Sequence, residues 1–487
     1  MTRSFLLLFL IFTVSLTADP HYNIRGFFGD RATGMAGAFT AISDDPSGAI
    51  YNPAGLGFSY YNYMSNSSIN FSENVKEFEK VNGWSQSYKR RSSGIAPNFI
   101  GSMNRLGDFM FAMSIFNQQT ENYDQSDVIS RFISVPFIDS VRAQYTEQNT
   151  NYTFGPSIAY KFSERFSLGF SLFGFIDSTR ISLNSFTQFM DNTYSNQTYD
   201  EMRSTSGILP VLGLQYMLSE KVFLGLSLRR PLGIKKSLKV TSRSLTNDST
   251  DSSRVNVFNL TETQSEGYVG LPTFTDSTQQ LLLLGNATLS GGIPEPIEVR
   301  TGFAFFINPK LTISVDWIHT AAYRLKNNNI LYEPSNNVLL YQSDEFRELR
   351  TIETNNYALG LEYYLTEHFV VRMGSFSNFS NVKRIDWLEN TIQTGVRAST
   401  FGGTLPIVVN DLTILYTVPA VQQNERDEYL NALGYSFGLG WETSGSAIAL
   451  NIVQQSGRGL GVPADDAPTA ILDLRAVSIY LSATIRN

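Results

Sequence analysis

The chain has 487 residues, 42% hydrophobic and 13% aromatic, with 37 basic and 44 acidic side chains and a net charge of −7. That balance offers no basic surface for nucleic acid, and the Phe, Leu and Ile content is too high for disorder. Cysteine is absent, so neither disulfides nor thiolate chemistry contribute.

The N-terminus has the layout of an export signal: Arg3, then the apolar run Phe5–Leu16, then Ala18, with cleavage expected after residue 18. The run is about a dozen residues, short of the roughly 20 that a membrane-spanning helix needs. No Cys follows to carry a lipid anchor. Beyond it, no stretch approaches a helical membrane span.

Residues 19–57 hold all but the last residue of Gly26–Phe58, GFFGDRATGMAGAFTAISDDPSGAIYNPAGLGF, a stretch with too few large apolar side chains to form a core alone. Gly and Ala let a backbone approach its surroundings closely, so the segment is suited to filling a confined space. It stands immediately before a long series of β-strands and is expected to be an N-terminal hatch, or plug. Within it, Asn52 can bond nearby backbone and Pro53 fixes the turn that precedes the wall, with Ala54, Gly55 and Leu56 completing the motif. Asp44 and Asp45 are expected to cap a short helix before Pro46; a cation site is the weaker reading.

From residue 58 onward the pattern has period 2. Tyr152, Phe154, Ile158, Tyr160 and Phe162 share one face, opposite Thr153, Gly155, Ser157 and Lys161. After the turn Ser163-Glu164-Arg165, Phe166, Leu168, Phe170 and Leu172 alternate with Ser167, Gly169 and Ser171. The same unit recurs about the turns at 104–108, 219–221, 308–310, 366–368, 410–411 and 443–446. The polar faces carry Glu298, Arg300, Asp316, Glu362, Arg372 and Glu442. Facing lipid near the midplane, each would cost about 2–4 kcal/mol, so they are expected to point into a lumen. The fold class is therefore all-β, a transmembrane antiparallel barrel over 58–487 with the hatch inside it.

Short turns alternate with long polar segments, expected as outer loops at 71–95, 118–150, 178–205, 231–296, 321–354 and 380–393. The segment 231–296 is the largest of these and a candidate cap over the pore. Seven short-turn hairpins with a first and a last strand make sixteen; a loop excursion at 395–418 would make fourteen. The third strand, Phe109–Asn117, has no Gly or Pro to bend it, so no lateral opening is expected there. Pro156, Pro210 and Pro406 fall within strands and are candidate bulges.

The N-terminal block resembles the FadL/TodX family of outer-membrane transporters. The resemblance runs from Gly34-Met35 through Gly37-Ala38-Phe39, Asp44-Asp45-Pro46 and Ala49 to Tyr51-Asn52-Pro53-Ala54-Gly55-Leu56. It covers about thirty residues; the rest agrees in architecture. The resemblance implies fourteen strands, a hatch ending in the NPAGL motif, a bacterial outer-membrane location among its lipids, and passive uptake of long-chain fatty acids, other lipids or aromatic hydrocarbons. Burying an acyl chain is worth about 0.8 kcal/mol per CH₂, enough to drive capture. A FadL-like barrel recruited to protein secretion or surface attachment, as in PorV-type relatives, is the alternative, with secretion-system proteins as partners. The last strand ends in Asn487 where this class commonly has an aromatic residue.

Catalysis has one candidate motif, Gly434-Tyr435-Ser436-Phe437-Gly438, which matches G-x-S-x-G. The nucleophile elbow needs a strand-to-helix turn, whereas Tyr435, Phe437, Leu439 and Trp441 alternate straight through the motif. Only His21, His319 and His368 exist as bases, and no metal-ligand spacing is present. No enzyme activity and no cofactor are expected.

Overall fold

The computed structural model describes residues 26–79, 87–130, 138–189, 194–247, 257–268, 271–275, 282–284, 295–325, 330–333, 338–340, 349–381, 404–409, 412–417, 428–461 and 470–486. The expected export signal, 1–18, lies outside them.

Fourteen strands form one antiparallel ring. In chain order they are β1 (Tyr63–Glu79), β2 (Tyr88–Leu106), β3 (Phe109–Ser130), β4 (Ile138–Ser163), β5 (Phe166–Phe189), β6 (Tyr194–Ser219) and β7 (Val222–Arg229). The ring continues with β8 (Glu298–Asn308), β9 (Leu311–Thr320), β10 (Thr354–Tyr364), β11 (Phe369–Asn378), β12 (Tyr429–Glu442), β13 (Ser446–Gly461) and β14 (Ala470–Arg486). Each strand pairs with the next, and β14 closes on β1 from Tyr63↔Arg486 to Glu79↔Ile471. Of the two counts fourteen holds: among the described residues Thr404–Val409 and Leu412–Thr417 pair only with each other, the expected excursion at 395–418. That hairpin has the hairpin sequence pattern, but neither strand bonds to a neighbour in the wall.

Alternation sorts the side chains. Phe111, Met113 and Ile115 on β3, Leu168, Phe170 and Leu172 on β5, and Ile448, Leu450 and Ile452 on β13 all face outward and are exposed. The belt is completed by residues such as Phe303, Trp317, Phe437 and Leu481. A water-soluble protein does not expose apolar surface right round its circumference; a barrel whose solvent is lipid does. The inner faces carry Ser114, Ser171, Gln215, Ser314 and Asn451, all buried. The six charges expected in the lumen are buried as well.

Three of the expected loops are corrected. Most of 71–95, 118–150 and 178–205 is strand, continuing β1 to β6 beyond the apolar belt. Polar residues on both faces hide the period-2 signal there, but the backbone ladders persist, for example Ser130↔Ser140 in β3–β4 and Gln188↔Tyr194 in β5–β6. The wall is therefore tall over β3–β6, with 22 to 26 residues per strand, and low over β7–β11, with 8 to 11.

The tall side forks at Pro210. The inner part of β6 pairs with β7 from Val211↔Arg229, while its outer part pairs with Leu232–Asn247 up to Ile208↔Leu232. Pro210 has no N–H to donate and occupies the gap between the two ladders. Leu232–Asn247 then pairs with Val257–Tyr268, and that with Leu271–Thr275. The expected capping loop thus contains a sheet extension growing from the outer half of β6.

A second irregularity lies beyond Phe109–Phe116, the part of the third strand whose ladder to β2 is unbroken. β2 and β3 pair from Leu106↔Phe109 to Phe99↔Phe116, and again at Ser92↔Tyr123, with no ladder pair between. The causes lie beside the gap. Pro97 offers no donor, β2 slips register against β1 near Asn98, and β3 carries an extra residue, Thr120, against β4. Side chains stitch the gap: Asn117 Nδ2 donates to Pro97 O (2.9 Å), and the Asn122 amide donates to Ser92 Oγ (2.7 Å).

Candidate functional site

Residues 26–58 fold into α1 (Asp30–Gly34), α2 (Gly48–Tyr51) and a 3-10 turn, Pro53–Phe58, joined by tight bends. Nearly all of the segment is buried. Ala36 and Ser43 have φ of 54° and 42°, a left-handed conformation that non-glycine residues hold only when their surroundings enforce it.

Those surroundings are the inner wall on every side. Ser114 of β3 donates to Pro46 O (3.1 Å), Ser171 of β5 to Ala49 O (2.8 Å), and Ser436 of β12 to Gly34 O (2.7 Å). Asp316 of β9 accepts the amides of Phe39 (3.1 Å) and Thr40 (2.9 Å) through Oδ2. Asn451 of β13 donates to Asp30 O (3.2 Å). A segment bonded to strands on opposite sides of a closed ring lies within it.

Glycines make the close fit possible. A Cβ at Gly213 on β6 would overlap Asn52 Oδ1, and one at Gly169 on β5 would overlap the backbone of Pro53 and Ala54. Side chains at Gly225, Gly302, Gly360 and Gly374 would likewise strike Thr40, Ala41, Met35 and Ala36.

Each sequence-predicted residue has a place in this contact. Asn52 accepts the Ala54 amide (3.2 Å) and donates to Thr40 O (2.8 Å) and, across the gap to β6, to Leu214 O (3.1 Å). Pro53 opens the 3-10 turn, and Ala54, Gly55 and Leu56 are buried within it. The two aspartates differ. Asp45 Oδ1 accepts from the amide (2.8 Å) and hydroxyl of Ser47, which precedes α2. Burial, then the charge of Asp30, pushes the Asp45 carboxyl up to about 7. Asp44 caps no helix; it pairs with Arg31.

Arg31 also reaches Glu362 on β10 (2.9 Å). Glu362 in turn binds Arg372 on β11 (2.7 Å), which holds Glu442 on β12, and Glu442 binds Arg486 on β14 (3.0 Å). On the opposite side, Glu298 of β8 takes Arg229 of β7 (2.8 Å) and Arg300, whose guanidinium lies 5.5 Å from the Tyr51 ring centroid. These buried ion pairs bind the segment at both flanks. A buried charge left without its partner costs several kcal/mol, so the lumenal charges act as fixed attachment points.

One buried apolar cluster adjoins the β2–β3 gap. Phe116 of β3 packs against Phe99 of β2 (5.1 Å, stacked), Phe28 of the N-terminal segment (4.9 Å, edge-on) and Phe173 of β5 (5.5 Å, edge-on). The sequence reading missed this cluster and the gap. Pro97 was the available signal, but a single chain gives no register that would set β2 against β3 there.

Among the described residues no group of metal-ligating side chains occurs. Ser436 sits in the uninterrupted strand β12, with its hydroxyl committed to Gly34 O. His319 lies against Asn355, and His368 against Glu442 O; neither is bonded to Ser436.

No family model and no curated protein matches the chain. Solved structures do. The toluene transporter TodX of Pseudomonas putida is 12% identical, with 95% of this chain and 99% of that one covered at a TM-score of 0.57. A FadL homologue of Pseudomonas aeruginosa is 12% identical over 94% and 98% of the two chains, at 0.53. The toluene transporter TbuX of Ralstonia pickettii is 12% identical over 95% and 99%, at 0.51. Two of these three neighbours are described as toluene transporters. At this identity the likeness is one of fold, and it extends over nearly the whole chain: the protein has the FadL/TodX-type barrel fold.

Proposed function

We propose that the chain takes up hydrophobic small molecules, fatty acids or aromatic hydrocarbons, across a bacterial outer membrane by passive diffusion. In this reading residues 1–18 are the export signal, 19–57 the hatch and 58–487 the barrel. The observation that carries the proposal is the aromatic cluster of Phe28, Phe99, Phe116 and Phe173, set directly behind the unpaired stretch of β2 and β3. A greasy molecule gains about 25 cal/mol per Å² of apolar surface on entering such a site. A neighbouring wall without ladder bonds offers it a way to lipid that breaks only side-chain bonds across the gap, those of Asn117 and Ser92 among them. The hatch, seated on glycines and tied by Asn52 to β6, blocks bulk water while the site fills. The transporters sharing this fold support the reading.

The test is uptake of labelled long-chain fatty acid and of toluene in a Gram-negative host lacking its own transporter. The native chain is compared with the Asn52→Ala, Pro53→Ala double variant, after both are shown to be surface-inserted. Uptake of either compound that the variant impairs supports the proposal; an inserted native barrel that takes up neither refutes it.

A second reading has one observation in its favour. The sheet extension from β6 stands beyond the apolar belt, where a secretion or surface-attachment partner of the PorV-like kind would dock. Co-purification of secretion proteins that depends on residues 232–275 would select it.

A further inference from the structure

The outward face of the wall changes character abruptly on β14, β1 and β2. Along β14 the outward positions Ile485, Ala483, Leu481, Ile479 and Val477 are apolar and exposed, and the next one is Arg475. Ten residues separate Ile485 from Arg475. At about 3.3 Å per residue and a tilt near 40° that is roughly 25 Å along the barrel axis, the height of the apolar belt. With the short turns on the inner side, Arg475 stands at the level of the outer lipid headgroups. On β1 the same boundary falls between Phe71 and Glu73, and on β2 between Ile95 and Arg91.

Register brings two of these charges together. Val75 of β1 faces Arg91 of β2 on one side and Arg475 of β14 on the other. Neighbouring strands are about 4.8 Å apart, so the two arginines flank Val75 on one outward face, about 10 Å from each other. Both are exposed. The carboxylates beyond them are taken: Glu77 pairs with Lys89 (3.1 Å), and Arg458 with Glu79 (2.8 Å) and Asp473 (3.6 Å). Among the described residues neither Arg91 nor Arg475 has a carboxylate at ion-pair distance. One free carboxylate, Glu73, lies a step nearer the membrane, between Ser93 and Val477.

A guanidinium fork matches phosphate bidentately, and basic side chains at a bilayer surface attract anionic lipid. Two forks about 10 Å apart suit two phosphates on one sugar backbone better than the single phosphate of a phospholipid. The exposed apolar residues directly below them suit acyl chains. We propose that the β14–β1–β2 face holds a phosphorylated glycolipid of the outer leaflet, of the lipid A kind. Its phosphates sit on Arg91 and Arg475 and its chains run along Phe71, Ile95 and Ile479. The proposal takes from the uptake reading only the membrane and the direction of the barrel in it.

The experiment measures binding of bisphosphorylated lipid A and of phosphatidylglycerol to the full chain by native mass spectrometry. Neutral detergent is used with EDTA, so that no divalent ion bridges a phosphate to Glu73. Each variant is first checked for barrel formation by heat-modifiable gel mobility. Native protein is expected to prefer lipid A by about tenfold or more, the size of one charge-assisted hydrogen bond. Arg91→Gln and Arg475→Gln each weaken lipid A binding by a similar factor. Arg180→Gln, at an exposed arginine of β5 set between Gln148 and Met202, leaves it unchanged. Glu73→Gln removes the one competing carboxylate and tightens lipid A binding, a gain that a merely structural role for these charges would not produce. Equal binding of the two lipids by native protein overturns the site. So does a preference that survives both arginine substitutions, or a loss as large in Arg180→Gln. If the arginine variants form no barrel, Glu73→Gln decides: unchanged or weaker lipid A binding refutes the site. Each of these outcomes leaves the uptake reading standing.

Discussion

Asn52 and Gly213 meet at one contact, and each constrains it from its own side. The Asn52 amide closes the 3-10 turn through Ala54 and crosses to Leu214 O on β6. Gly213 leaves the volume that the Asn52 oxygen occupies. Deleting the amide and adding a side chain opposite it are opposite operations with one shared effect. Asn52→Ala leaves buried backbone groups unpaired, roughly 1–3 kcal/mol apiece, whereas Gly213→Val drives a methyl-bearing carbon into the hatch. Both are expected to raise single-channel conductance to small ions in planar bilayers, with barrel mobility on gels unchanged. Conductance equal to the native trace in both variants would show that this contact does not hold the hatch. The residue-level chemistry of this motif was legible in the sequence; its partner on β6 was not, because Gly213 is one of 36 glycines and nothing in a single chain singles it out.

At the scale of elements, the β2–β3 gap and the N-terminal segment each lead to an expected outcome. Register is the same on both sides of the gap, so position 96 of β2 faces position 119 of β3 within it. Since the chain has no cysteine, an Ala96→Cys, Gln119→Cys pair can be oxidised without side products. If substrate leaves by this gap, the cross-link lowers uptake several-fold and a reductant restores it; uptake that ignores the cross-link places the exit elsewhere. The N-terminal segment carries a pH dependence of definite sign. Burial raises the Asp45 carboxyl to about 7 and raises Asp30 as well. A carboxyl raised on folding favours the packed state while protonated. Its stabilisation is complete below the ordinary Asp range and is lost as pH rises through 7. Hydrogen exchange of residues 30–52, corrected for intrinsic rates, is therefore expected to be slower at pH 5 than at pH 8. Asp45→Asn, which keeps an acceptor for Ser47, should flatten that difference. Strands bordering lipid were the elements most readily read, because lipid imposes strict alternation on them. Outer extensions of β3–β6 were read as loops, because water on the outside and a polar lumen within impose none.

For the whole molecule, the ring follows from alternation, a property of the chain alone. The strand total does not. It depends on whether a hairpin such as Thr404–Thr417 finds neighbours, and pairing between distant segments leaves no mark in local pattern. The same holds for the aromatic cluster, whose members at 28, 99, 116 and 173 come together only when the ring is built. Closure itself has a consequence for biogenesis. The segment that fills the lumen is made before any wall strand, and the joint that completes the wall, β1 on β14, needs the last strand made. Until that joint forms, the sheet is an open trough, with the N-terminal segment available as a mould. Gly169, Gly213 and Gly225 can settle against that segment before the cylinder shuts. The final zippering of the first strand to the last then entombs a cargo already in place, so that assembly, unlike gating, never requires the hatch to be threaded into a finished barrel.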